Sequence, residues 1–107
     1  MNVAELARKA NDVSGYMRLL GAPARLLMLC QLANEERSVG DLCALTGMKP
    51  PAVSQHLARL RHEGVVAARR EGQTMQYSIS DPSVSTIVRF LYETFCQEGA
   101  KAQGHAK

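Results

Sequence analysis

Three cysteines, Cys30, Cys43 and Cys96, and three histidines, His56, His62 and His105, are the side chains of this 107-residue chain best suited to ligation or nucleophilic chemistry. The histidines lie too far apart, and in the wrong elements, to supply the closely spaced ligands of a zinc site. Thiols can attack as thiolates or bind soft metals. Cysteine is also among the most buried residue types and packs as a small hydrophobe, and both readings stand for each of the three. No GxxxxGK, HExxH, GxSxG or CxxC occurs, so the marks of a phosphate loop, a zinc hydrolase, a serine hydrolase or a thioredoxin-like oxidoreductase are missing. We expect no enzyme, no metal and no cofactor.

Charge adds a second kind of chemistry. The whole chain carries a net charge of +3. Between Lys49 and Arg70 the basic residues are Lys49, Arg59, Arg61, Arg69 and Arg70 against the single acid Glu63, a local +4 that leaves −1 for the remainder. A concentrated basic segment suits phosphate neutralisation on nucleic acid, although a solvated basic face has the same composition.

The elements that position these groups follow from periodicity. Residues 2 to 20 put Leu6, Ala10, Val13, Met17 and Leu20 at helical spacing, an amphipathic first helix. Gly21 and Pro23 interrupt it, and Leu26, Leu27, Leu29, Cys30 and Leu32 make the next helix apolar on most sides. After the polar turn NEERS, Ser38 is placed to cap a short helix with Val39, Leu42 and Leu45, which Gly47 stops. Pro50 and Pro51 open another helix, with Val53, Leu57 and Leu60 at i, i+4 and i+7 and Gly64 beyond its end. Two short helices around a Gly-containing turn have helix-turn-helix spacing. The pattern then changes to VVAARR, EGQ and TMQYSIS, with Met75, Tyr77 and Ile79 at period 2, which reads as a β-hairpin. Ser80 or Asp81 caps a last helix with Pro82 near its start and Val84, Ile87, Val88, Leu91 and Phe95 on a wide apolar stripe.

This order predicts a mainly α winged helix-turn-helix, five helices and a β-hairpin wing, as against a three-helix bundle with an incidental hairpin. Residues 1–98 are expected to form one DNA-binding and dimerisation domain and 99–107 a flexible tail. One core at this length is small, which favours a homodimer. The N-terminus lacks the basic stretch and apolar run of an export signal and no apolar run is long enough for a membrane span, so a cytoplasmic protein with no membrane partner is expected.

With Val53 toward the core, a 100° step per residue turns Gln55 and Arg59 outward, with Ala58 between them and Pro51 one turn earlier. Gln can pair with adenine and Arg with guanine or phosphate, while a small Ala lets the helix sit deep in the major groove. Ser54 and His56 lie on the flanks, placed for phosphate or base-edge contacts, with a water-bonded surface histidine as the other reading of His56. On the hairpin, Arg69, Arg70 and Gln73 are placed for phosphate or minor-groove contacts.

The stretch SVGDLCALTGMKPPAVSQHLARLRHEGVVAARREGQTMQYSI resembles the arsenic-repressor (ArsR/SmtB) family of bacterial winged-helix repressors, with GAPARLLMLCQL upstream and LYETFC downstream extending the likeness over nearly the whole chain. The resemblance implies a homodimer, paired through its first and last helices, that binds double-stranded operator DNA until an inducer releases it. The metal-sensing ELCVxD segment of many members is not kept, since Ser38 stands where its cysteine would be, and the last helix begins DPSVS without a histidine. Cys30 in LMLCQL and Cys96 in LYETFC resemble the two cysteines of the sulfide-responsive branch. That likeness implies a repressor in which reactive sulfur species, persulfide or polysulfide, bridge Cys30 to Cys96 and free the DNA. Two alternatives stand beside it: an arsenite or soft-metal thiolate site that Cys43 would complete, and a DNA-binding regulator with no inducer.

Overall fold

The computed structural model describes residues 1–96, and of Cys96 the backbone only. The side chain of Cys96, His105 and the expected tail 99–107 therefore lie outside the described residues. The chain folds as α1 (Val3–Leu20), α2 (Pro23–Gln31), α3 (Val39–Thr46), α4 (Pro50–His62), β1 (Val66–Glu71), β2 (Thr74–Ile79) and α5 (Pro82–Leu91), which continues as a π-helical turn over Tyr92–Cys96. The expected mainly α winged helix-turn-helix is what forms.

Helix boundaries sit where the local chemistry puts them. Asn2 and Glu5 close a capping box on α1, and Ser38 and Asp41 close another on α3, so each start has its orphan amides satisfied from both sides. Hydrogen bonds from Ser38 hold the Asp41 carboxyl below its ordinary pKa. Pro23 and Pro50 open α2 and α4, where a missing N–H costs nothing. Of the two possible caps for α5, Asp81 is used, its Oδ1 accepting from the amides of Ser83 and Val84. Gly47 ends α3 at φ 79°, a left-handed position that only glycine takes without penalty.

A single core lies among the helices. Met28, Leu29, Cys30, Leu32 and Ala33 from α2 and its end, Leu42 from α3, Val53, Leu57 and Leu60 from α4, Val65 and Val66 at the hairpin and Val84 and Val88 from α5 are all buried. α2 touches α1, α3 and α5, which makes it the central helix that its all-round apolarity predicts. The hairpin pairs antiparallel from Val66 with Ile79 to Glu71 with Thr74. Its two-residue loop puts Gly72 first at φ 66°, as a type II′ turn requires. An extra bridge joins Arg37 to Tyr77, with backbone bonds of 3.0 and 2.8 Å, so the wing is rooted on the residue before the α3 cap.

One expectation is met only in part. The α1 stripe is amphipathic, but Leu19 and Leu20 are its only buried residues, and Leu6, Val13 and Met17 are 57%, 49% and 45% exposed. At the other end of the chain Phe90 and Phe95 stand 61% and 62% exposed. Most of the apolar surface that periodicity assigns to burial on α1 therefore stays exposed among the described residues. The Tyr16 hydroxyl reaches Asp81 Oδ2 at 2.9 Å and ties α1 to the start of α5. That bond, made to a carboxylate, raises the Tyr16 pKa above its ordinary value.

Candidate nucleic-acid interface and thiol pair

α4 is anchored by Val53, Leu57 and Leu60, each at most 1% exposed, and burying three such side chains stabilises the helix–core contact by about 1.5–3 kcal/mol apiece. Fixing that stripe fixes the opposite one. Pro51, Ser54, Gln55, Ala58 and Arg59 are exposed on α4, and His56 is half-buried at its edge. α3 packs against α4 and supports it from behind. The face therefore offers an amide, a hydroxyl and a guanidinium around one alanine, a set suited to reading base edges and phosphates.

The wing residues are less uniform than their sequence suggests. Arg70 is exposed and donates to the Gly72 carbonyl at 3.3 Å, and Gln73 is exposed at the tip. Arg69 is not left open. Its Nε and Nη2 grip the Glu36 carboxylate in a fork, at 2.9 Å to Oε2 and 2.6 Å to Oε1, and Nη2 also meets Glu71 at 3.3 Å. A bidentate arginine–carboxylate pair has defined geometry as well as charge. Glu36 was not singled out from the sequence, because it lies 33 residues from Arg69 and only the fold brings them together.

The Arg69 hydrogen bonds hold Glu36 below its ordinary pKa, and the same contact raises that of Arg69. A depressed carboxylate contributes at neutral pH, and that contribution is lost as pH falls through the folded-state value. We expect the Glu36 carboxyl carbon to titrate by NMR with a midpoint below that of glutamate in an unstructured peptide, with the Arg69 Nε–H signal moving in step. A midpoint at or above the peptide value would mean that the fork is not populated in solution.

Of the thiols, Cys30 is buried on α2 at 7% exposure within the core cluster, while Cys43 is half-buried against it on α3. α2 packs directly on α5, whose π-helical extension ends at Cys96. The Arg89 guanidinium of α5 also donates to the Ala33 carbonyl just past α2, at 3.4 Å.

The family model described as bacterial regulatory protein, arsR family, matches residues 22–68. The HTH-type transcriptional regulator YgaV of Escherichia coli is 36% identical over 95 residues, 88% of this chain and 96% of that protein. The chain belongs to the ArsR family. Two solved structures agree with it in fold along nearly the whole length. The transcriptional repressor BigR from Xylella fastidiosa superposes with a TM-score of 0.79 at 33% identity, covering 92% of this chain and 100% of that one. Reduced HlyU from Vibrio cholerae gives a TM-score of 0.84 at 33% identity, covering 89% and 100%. Membership of the ArsR family makes the protein a DNA-binding transcriptional regulator and not an enzyme. In this ArsR protein no group of three His, Cys, Asp or Glu side chains is arranged to hold a metal among the described residues. Among the same residues no helix is long and apolar enough to cross a membrane.

Proposed function

We propose that this ArsR-family protein is a homodimeric repressor that releases operator DNA when reactive sulfur bridges Cys30 to Cys96, with residues 1–98 as its DNA-binding and dimerisation domain. The observation that carries the reading is the direct packing of α2, which bears Cys30, on α5, whose last turn bears Cys96. Pro51, Ser54, Gln55, His56 and Arg59 on α4, and Arg69, Arg70 and Gln73 on the wing, form the DNA surface. Arg69 is charge-paired with Glu36 through Nε and Nη2, which leaves the Nη1 donors for phosphate.

The thiol chemistry closes without a further reactant. One cysteine thiolate attacks the outer sulfur of a low-molecular-weight persulfide, the S–S bond breaks and a thiolate leaves, which puts a persulfide on the protein. The second cysteine attacks the cysteine-bound sulfur of that group, expels hydrosulfide and completes a disulfide. The dithiol is oxidised by two electrons and the sulfane sulfur is reduced to sulfide. A bridge between α2 and α5 constrains the helix that carries Phe90 and Phe95 toward a second copy, and so changes the spacing of the two α4 helices. Half-sites one helical turn apart, about 34 Å, make operator affinity sensitive to that spacing.

The test is intact mass of the reduced protein after separate exposure to glutathione persulfide, hydrogen peroxide and arsenite, with affinity for its own promoter fragment measured on the same samples. Persulfide is expected to give a product whose peptide map joins Cys30 to Cys96 and whose DNA affinity has fallen. Retention of arsenite with loss of DNA would make the protein a metalloid sensor, and unchanged affinity under all three treatments would leave a regulator whose cysteines pack.

A further inference from the structure

Arg59 does not stand alone on the outer face of α4. Together with Glu63 it borders an open groove of about 370 Å³ whose other walls are Gly15, Arg18 and Leu19 of α1 and Arg25 of α2. Three guanidinium groups from three helices thus line one concavity, against one carboxylate. Among the described residues Glu63 forms no ion pair with any of them, and none of the three is within ion-pair distance of any other carboxylate.

The cations are not equivalent. Arg25 is half-buried, and its Nε and Nη2 donate to the carbonyls of Leu19 and Arg18 at 3.0 and 3.3 Å. Those carbonyls end α1, where the helix dipole is negative, so they hold the Arg25 guanidinium in place without cancelling its charge. A guanidinium has five N–H groups in a planar fork, and among the described residues Arg25 makes side-chain hydrogen bonds only to the Leu19 and Arg18 carbonyls. Arg18 and Arg59 are exposed and flank it. A fixed central cation with two adjustable ones beside it is suited to a tetrahedral oxyanion, which guanidinium forks bind through paired hydrogen bonds.

The location selects the source of that anion. Arg59 follows Gln55 by one helical turn on the same exposed stripe of α4, so the groove opens at the edge of the face assigned above to DNA. We infer that the Arg18, Arg25 and Arg59 groove is a phosphate site that takes one backbone phosphate of bound DNA per protomer. The inference rests on the DNA-reading assignment of α4 and changes it in one respect: Arg59 is spent on phosphate, and base reading falls to Gln55 and its neighbours.

Phosphate contacts are sequence-independent and release counterions, so the salt dependence of binding counts them, at a slope of about 0.9 per phosphate in log K against log salt. The probes are a random-sequence duplex and the protein's own promoter fragment, each titrated with full-length wild type, Arg18→Ala, Arg18→Lys and Gln55→Ala across a salt series. Arg18 is exposed, so its replacement leaves the core untouched, and circular dichroism checks the fold. We expect Arg18→Ala to lose about 0.9 in slope per protomer and to weaken binding to both duplexes by the same factor, and Arg18→Lys to restore the slope. Gln55→Ala is expected to keep the slope and lose preference for the promoter. An unchanged slope and affinity in Arg18→Ala would overturn the groove while leaving DNA binding intact. Wild type that binds neither duplex would overturn the operator reading and the groove with it. If inorganic phosphate shifts the Arg25 Nε–H resonance in DNA-free protein while Arg18→Ala binds DNA as wild type does, the groove belongs to a small anion and the DNA assignment fails.

Discussion

After treatment with glutathione persulfide, Cys30→Ser and Cys96→Ser proteins are expected to remain on operator DNA under conditions in which wild type loses between five- and 150-fold in affinity. That range corresponds to the coupling of about 1–3 kcal/mol usual between an effector and a second site. The argument is stoichiometric. With either member of the pair replaced, the other can accept a sulfane sulfur, but Cys43 lies on α3 and no second thiol remains to join α2 to α5, so the two helices stay unbridged. Cys30 sits in the core at 7% exposure, and a serine hydroxyl there costs about 1–3 kcal/mol if it is left without a hydrogen bond. Against a domain stability of about 5–15 kcal/mol the fold survives, and a urea melt of the variant verifies it. Cys43→Ser serves as the comparison. Half-buried on α3 and outside the α2–α5 contact, it is expected to respond as wild type does. Release of DNA from either of the first two variants by persulfide would sink the dithiol mechanism.

The second large effect concerns assembly. Replacing Val13 with Glu and Met17 with Lys is expected to convert the proposed dimer into a monomer, read as a halved mass by light scattering, and to weaken operator binding by about two to four orders of magnitude. Both side chains are close to half exposed on α1 and make no part of the core. A Glu–Lys pair at i, i+4 supports an isolated helix by about 0.2–0.5 kcal/mol, so α1 itself is not weakened. What changes is the apolar stripe of Leu6, Val13 and Met17, which, like Phe90 and Phe95, stands exposed among the described residues. Large exposed apolar patches mark association sites. Joining two half-site readers in one particle raises avidity by about 10²–10⁴, and separating them forfeits it. An unchanged mass for the doubly substituted protein would remove α1 from the interface.

Local chemistry accounts for how much of this was legible in the sequence. Ser38 with Asp41, Pro23, Pro50, Gly47 and the alternation of Met75, Tyr77 and Ile79 each act within a few residues, and each marks the boundary or element found in the structure. The outward face of α4 was legible for the same reason, since a buried Val53, Leu57 and Leu60 leave Gln55 and Arg59 no other side. Contacts across the fold were not legible. Glu36 is one of several acids in a polar turn until the hairpin carries Arg69 to it. Arg18, Arg25 and Arg59 are scattered basic residues until three helices converge. The periodicity of α1 revealed an apolar stripe but not what covers it, because an amphipathic helix reads the same whether its partner is its own core or another copy. The π-helical turn that ends in Cys96 has no counterpart in the 3.6-residue pattern used to place α5.

The short bridge between Arg37 and Tyr77 bears on how any signal reaches DNA. It joins the root of the wing to the residue immediately before the Ser38 cap, and α3 in turn lies against α4. Hairpin, supporting helix and recognition helix are thereby stitched along a continuous seam of backbone hydrogen bonds and packed side chains. Under the proposed mechanism, an inducer that ties α2 to α5 meets a reading head already braced by this seam, although α2 itself rests on α3. In the proposed dimer its leverage falls on how two such heads are held relative to each other, so an induced protomer is expected to superpose closely on an uninduced one while the pair no longer matches the pitch of its operator.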